Sequence, residues 1–239
     1  MAPRSVVLFA REPGREAREK GLAGRDGEGL FAAFALGWAE AASSVGARLV
    51  VATPLVDQAA WRRRPAFVEA LFIRQRGRTF GERLEDSARQ GAALGGPTVV
   101  VGGDVSPSER SLREAFAALE YGADAALGPA PDGGVSLVAL AQEDLELLSD
   151  IVPGSTDVFA RLVRRLRERG RGIAVLAAVR DVDGRRELRS LVRFLPPAYR
   201  AVARRALSAA RVSFAPTRSF SLLPQRTRPT GLRAPPAAA

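Results

Sequence analysis

Short apolar runs rich in β-branched residues recur along the chain at 5–9, 48–52, 71–74, 97–101, 123–127, 135–140 and 173–176, each bounded by Gly, Pro or charge. Runs this short suit buried strands better than helices. Between them apolar residues return every three or four positions, as in Leu30, Phe34 and Trp38, then Leu112, Ala115, Phe116 and Leu119, then Val158, Leu162, Val163 and Leu166. That is the spacing of one helix face. Alternation of strand and helix implies a mainly parallel sheet covered by helices, and 239 residues of which 46% are hydrophobic can fill such a core. Run 135–140 follows run 123–127 after a turn through Pro131, Asp132, Gly133 and Gly134, too short for a helical crossover. The expected fold is therefore a three-layer α/β domain with a mixed, mainly parallel sheet.

Beyond Asp183 the pattern becomes helical over 185–194, breaks at Pro196 and Pro197, and resumes with Tyr199, Val202, Ala203, Ala206, Leu207 and Ala210 on one side. From 215 onward Pro, Arg, Thr and Ala dominate without periodicity. The expected organisation is one domain over 1–195, a helical extension over 196–214 and a disordered basic tail over 215–239.

The chain contains neither cysteine nor histidine. Thiolate metal sites, Cys nucleophiles and the commonest general base are thereby excluded, leaving carboxylates, Lys, Arg, backbone amides or a bound cation. The apolar run 6–10 is too short for a signal core or a membrane span, so a cytoplasmic protein with no membrane partner is expected. A net charge of +10 suits phosphate-bearing ligands, but the arginines are dispersed over helical segments and no aromatic-basic motif accompanies them. A nucleic-acid partner is not expected.

Four segments have the residue types for chemistry. The segment after the first run holds Arg11, Arg15, Arg18 and Lys20 around Gly14, able to grip a diphosphate, or else forming a solvated charged loop given its interleaved acids. Run 97–101 leads into Gly102, Gly103 and Asp104, where glycines clear space and the carboxylate can hold a divalent cation or cap a helix starting near Ser108. Asp132, Gly133 and Gly134 form a turn signal beside a carboxylate. Asp181 and Asp183 flank Val182 ahead of a helix, either completing a metal site or capping that helix.

In this order the four segments resemble the DUF2064 family of bacterial glycosyltransferase-like proteins, often described as radical-SAM/selenodomain-associated or arsenosugar-biosynthesis transferases, over roughly residues 4–190. Phe9-Ala10-Arg11-Glu12-Pro13 with Leu22 is similar to the family's opening. Phe80-Gly81-Glu82-Arg83-Leu84 resembles its Leu-Gly-Glu-Arg-Met, and Gly102-Gly103-Asp104-Val105 its Gly-Ser-Asp-x-Pro. Leu127-Gly128-Pro129-Ala130-Pro131-Asp132-Gly133-Gly134 resembles Leu-Gly-Pro-Ala-Glu-Asp-Gly-Gly, while Ser155-Thr156-Asp157-Val158 and Asp181-Val182-Asp183 resemble later family segments. The departures are Glu19-Lys20-Gly21-Leu22 in place of Lys-Thr-Arg-Leu, Pro131 in place of an acid, and Val135-Ser136 in place of an aromatic pair.

The resemblance implies a GT-A-like fold of the nucleotide-diphospho-sugar transferase superfamily. It also implies a nucleotide or nucleotide-sugar donor, an unidentified small-molecule acceptor, and Mg²⁺ or Mn²⁺ as cofactor. On that reading Asp104 and Asp183 hold the metal, while Arg11, Arg15, Arg18, Lys20, Gly102, Gly103, Gly133 and Gly134 bind nucleotide phosphates. Asp132 and Lys20 take the catalytic roles. Glycosyl transfer leads, nucleotidyl transfer to a phosphorylated small molecule is the alternative, and a non-catalytic binding protein that keeps the fold is the third reading.

Overall fold

The computed structural model describes residues 3–212. In chain order the elements are β1 (Arg4–Phe9), α1 (Pro13–Glu19), α2 (Arg25–Ser44), β2 (Ala47–Thr53), α3 (Leu55–Arg62), β3 (Leu71–Arg74), α4 (Phe80–Ala92), β4 (Thr98–Gly102) and α5 (Glu109–Glu120). They continue with β5 (Ala125–Pro129), β6 (Val135–Leu140), α6 (Val158–Glu168), β7 (Ile173–Val175), α7 (Arg185–Leu191) and α8 (Pro197–Val212). The seven strands form one sheet in the order β3-β2-β1-β4-β6-β5-β7. All neighbours pair in parallel except β6, which runs antiparallel to both β4 and β5.

The central strands are buried on both faces, which is why they read as continuous apolar runs. Val6, Leu8, Val51, Val99 and Val101 pack with Trp38 of α2 and Leu112 and Phe116 of α5. Val7, Val50, Val100, Leu127 and Val138 pack on the other face with Leu84 and Ala88 of α4, the turn Gln142–Leu148, and Leu162 and Leu166 of α6. A third cluster lies outside α2, where Leu30, Phe31 and Phe34 meet Leu188 and Leu191 of α7 and Ala203 and Ala206 of α8.

Three expectations shift in detail. The charged segment after β1 is not a loop: Glu12 accepts the Arg15 amide at 3.0 Å, Pro13 occupies the first helical position, and α1 buries Gly14, Glu16 and Ala17. Strand β5 starts at Ala125 because the Ala123 amide closes the end of α5 on Ala118 O and the Asp124 amide bonds Gly172 O. The helix expected over 185–194 ends at Leu191, the turn beyond it being closed by the Phe194 amide on Leu191 O. The tail expected over 215–239 lies outside the described residues. Among the described residues no helix is long and apolar enough to cross a membrane.

Strand order reverses at β1, whose neighbours β2 and β4 lie on opposite sides. The segments leaving the carboxyl ends of β1 and β4 diverge there, and a crevice opens between them.

Candidate active site

The crevice is a cleft of about 560 Å³ lined by all four chemistry-bearing segments. Its floor is the contact between the ends of β1 and β4, where the Gly103 amide bonds Phe9 O at 3.0 Å. A Cβ on Gly103 would stand 2.4 Å from Ala10 Cβ, so a side chain there would push the two segments apart.

Asp104 is fixed from two directions. The indole of Trp38 donates to Val105 O at 3.0 Å inside the core, and segment 180–182 runs antiparallel beside 104–106. The Val182 amide bonds Asp104 O at 3.0 Å and the Ser106 amide bonds Arg180 O at 3.2 Å. Val182 is fully buried, so the residues on either side of it, Asp181 and Asp183, reach the cleft. Neither capping role is realised: Ser108 caps α5 through the Ser111 amide at 3.1 Å, and α7 starts at Gly184 without a side-chain cap.

Lys20, at the carboxyl end of α1, extends into this acidic corner. Its ammonium donates to Asp104 Oδ2 at 2.7 Å and Asp183 Oδ1 at 2.6 Å, with Glu16 Oε1 at 4.0 Å. Burial disfavours the charged lysine, but the Asp104 and Asp183 carboxylates outweigh it and raise its pKa above the ordinary value. Glu16 is shifted up by burial and by the Asp104 charge, against the pull of Arg11 and Lys20.

On the other side of Asp183, carboxylate oxygens of Asp132, Asp181 and Asp183 lie within 4.8 Å of one another. Burial, reinforced by the charges of Asp104, Asp183 and Asp132, pushes Asp181 up to about 7. Three carboxylates this close present the hard oxygen donors that Mg²⁺ or Mn²⁺ takes, and a cation would relieve their repulsion. The residues present therefore fit a divalent ion.

The other expected residues divide. Arg11 and Arg15 line the cleft, each paired with a buried acid, Arg11 with Glu16 at 3.1 Å and Arg15 with Asp57 at 3.3 Å. Gly102 and Gly134 line it too, and the Gly134 amide donates to Asp132 Oδ1 at 3.0 Å. Arg18 is exposed at the end of α1 and does not line the cleft. Nor does Gly133, which has φ +93° and packs where a Cβ would stand 1.9 Å from Thr156 O. The expected metal pair is also split: Asp183 is in the triad, while Asp104 holds Lys20. Asp181 stands beside Asp183 where the resemblance put Asp104, and the alternation Asp-Val-Asp around a buried valine was the available signal.

Residues 38–155 match the sequence model of a family described as an uncharacterized protein conserved in bacteria, DUF2064. That stretch, just under half of the chain, is similar to DUF2064. It contains Asp104 and the Asp132 turn, while α1 and the Asp181-Asp183 segment lie outside it. No curated protein matches the chain by sequence. Among solved structures, the chain is similar to a Desulfovibrio desulfuricans G20 protein provisionally described as a nucleotide-diphospho-sugar transferase, with TM-score 0.73 and 22% identity over 89% of this chain and 98% of that one. It is also similar to the inositol-1-phosphate CTP transferase of T. maritima, with TM-score 0.52 and 11% identity over 85% of this chain and 96% of that one. The 4-diphosphocytidyl-2C-methyl-D-erythritol synthase of Anaerococcus prevotii DSM 20548 matches with TM-score 0.50 and 10% identity over 74% and 89% of the respective chains. At these identities the likeness establishes a shared three-layer α/β fold.

Proposed function

We propose that the cleft is the donor site of a metal-dependent transferase that uses a nucleotide-activated donor and passes its glycosyl group to a small acceptor. The observation that carries this reading is the juxtaposition, at the switch point of the sheet, of a carboxylate triad with a lysine shared between Asp104 and Asp183. Metal-assisted transfer from a diphosphate needs those two parts side by side. The descriptions carried by the similar folds, a nucleotide-diphospho-sugar transferase and two cytidylyl-type enzymes, agree with a nucleotide substrate.

Asp181 and Asp183 would hold the cation, leaving Asp132 beside them for the acceptor. When bound, Mg²⁺ or Mn²⁺ supplies charge neutralisation at the diphosphate leaving group. Lys20 faces the same phosphates from the α1 side, and Arg11 and Arg15, held by Glu16 and Asp57, set the direction from which a diphosphate enters. The bond from the sugar carbon to the diphosphate oxygen breaks with its electron pair on the nucleoside diphosphate, and the acceptor oxygen forms the new bond. Asp132 Oδ1 is steadied by the Gly134 amide, so Oδ2 is the oxygen offered to the acceptor hydroxyl and its departing proton.

Nucleotidyl transfer is the second reading, favoured by the two cytidylyl-type folds. Product analysis separates the two. Incubation with Mn²⁺ and UDP- or GDP-sugars should release nucleoside diphosphate, and Asp183→Asn should abolish the release. Pyrophosphate release from nucleoside triphosphates with sugar phosphates, and none from sugar nucleotides, would move the assignment to nucleotidyl transfer.

A further inference from the structure

The cleft does not end at the carboxylates. Past Asp132 and Gly134 it enters the layer between the sheet and α4, where its wall is made of residues that also belong to the second core. Leu84, Val138, Ile151 and Val158 are members of that core and line the cleft, and the partly buried Phe80 and Val135 pack against them and line it too. Phe80 and Leu84 are four apart on α4 and so share one helix face over the opening. The two serine hydroxyls at this end are turned elsewhere, and Arg83 spends one guanidinium N–H on the main chain. Ser136 Oγ donates to Val179 O at 2.6 Å, Ser155 Oγ to Asp157 Oδ1 at 2.7 Å, and Arg83 Nη1 to Arg78 O at 3.3 Å.

A wall of this kind discriminates among occupants. A hexose would bring several hydroxyls to it, and a nucleobase an amide-like edge, and each polar group left without a partner costs roughly 1–3 kcal/mol. An apolar body with one hydroxyl suffers no such loss, provided the hydroxyl lies at the boundary, beside Asp132. Building on the transferase reading, we propose that this end of the cleft is the acceptor subsite and that the acceptor is an apolar alcohol of phenol size, its ring or chain against Phe80, Val135 and Ile151 and its hydroxyl at Asp132.

The test is calorimetric titration with 4-methylphenol, 4-ethylphenol and 4-propylphenol, with glycerol and glucose as polar comparisons, each with and without UDP and Mn²⁺. The subsite predicts affinity rising about threefold to fourfold per added methylene, no measurable binding of glycerol or glucose, and no displacement of 4-propylphenol by UDP. Val135→Thr and Ile151→Thr, confirmed folded by their melting curves, should each weaken 4-propylphenol at least threefold and leave UDP binding unchanged. Three results would overturn the proposal: affinity flat across the series, preference for glucose, or competition between UDP and 4-propylphenol, which would put the base there instead. Binding of the phenols without any nucleotide binding would support the apolar subsite and sink the donor-site reading. Nucleotide binding without phenol binding would do the reverse.

Discussion

Lys20 is the residue on which the site turns. Its ammonium stands between Asp104 and Asp183, so it already supplies part of the positive charge that the carboxylates call for. Lys20→Met should therefore bind Mn²⁺ more tightly than wild type in the absence of nucleotide, by roughly tenfold, since even a strongly screened unit charge a few ångströms away is worth more than 1 kcal/mol. The same variant should bind nucleotide more weakly. Titration of free Mn²⁺ by electron paramagnetic resonance reads the first effect, and an unchanged or weaker Mn²⁺ affinity would show that Lys20 does not share the cation's site. Much of this corner was legible residue by residue. Asp104, Asp132, Asp183 and Lys20 stand out as charged residues at strand ends or beside glycines, and the structure brings them to one cleft. What the sequence could not settle was which carboxylates are mutual neighbours. That depends on the pairing of 180–182 with 104–106, a contact between segments far apart in the chain.

Among the elements that escaped the sequence reading, α1 bears most on the site. Its density of charge hides the helix, yet Pro13 at the first helical position is a helix-start signal, and Glu12, Arg15 and Lys20 find partners in distant segments while Arg18 and Glu19 face water. Burial pushes the Glu12 carboxyl up, but its bond to Arg64 and the amides of Gly14 and Arg15 outweigh this and hold it below the ordinary value of 4.5. A carboxylate depressed in the folded state stabilises it above the unfolded value and loses that contribution as pH falls through the folded one. Glu12→Gln should therefore cost roughly 1 kcal/mol at pH 7, the scale of a helix cap with solvent screening, and converge on wild type as pH falls below 4.5 and through the lowered folded value. Denaturant melts across that range check it, and a difference independent of pH would assign the role to shape rather than charge. Helix α4 begins with a reciprocal cap in which Thr79 Oγ1 accepts the Glu82 amide at 3.1 Å and Glu82 Oε2 accepts the Thr79 amide at 3.2 Å. Thr79→Ala should cost about 1 kcal/mol in urea unfolding. Because Phe80 opens this helix and lines the cleft, the variant should also weaken 4-propylphenol more than UDP.

For the whole molecule, the alternation of apolar runs with helical periods carried most of the fold, because a sheet buried on both faces leaves its strands no polar side to disguise. The antiparallel β6 was legible from the shortness of the turn before it. The apolar end of the cleft was not, since it is assembled from α4, β6, residue 151 and the start of α6, which look like ordinary core positions until packing leaves one side open. On the proposed function, one cleft binds a nucleotide through a divalent cation held by Asp181 and Asp183. Calorimetric titration of GDP and UDP, with and without Mn²⁺, on wild type and Asp183→Asn tests it most directly. Binding should require Mn²⁺ and weaken at least tenfold in the variant. Affinity indifferent to Mn²⁺, or no binding by the wild type, would contradict it and leave a protein that keeps the fold without the chemistry.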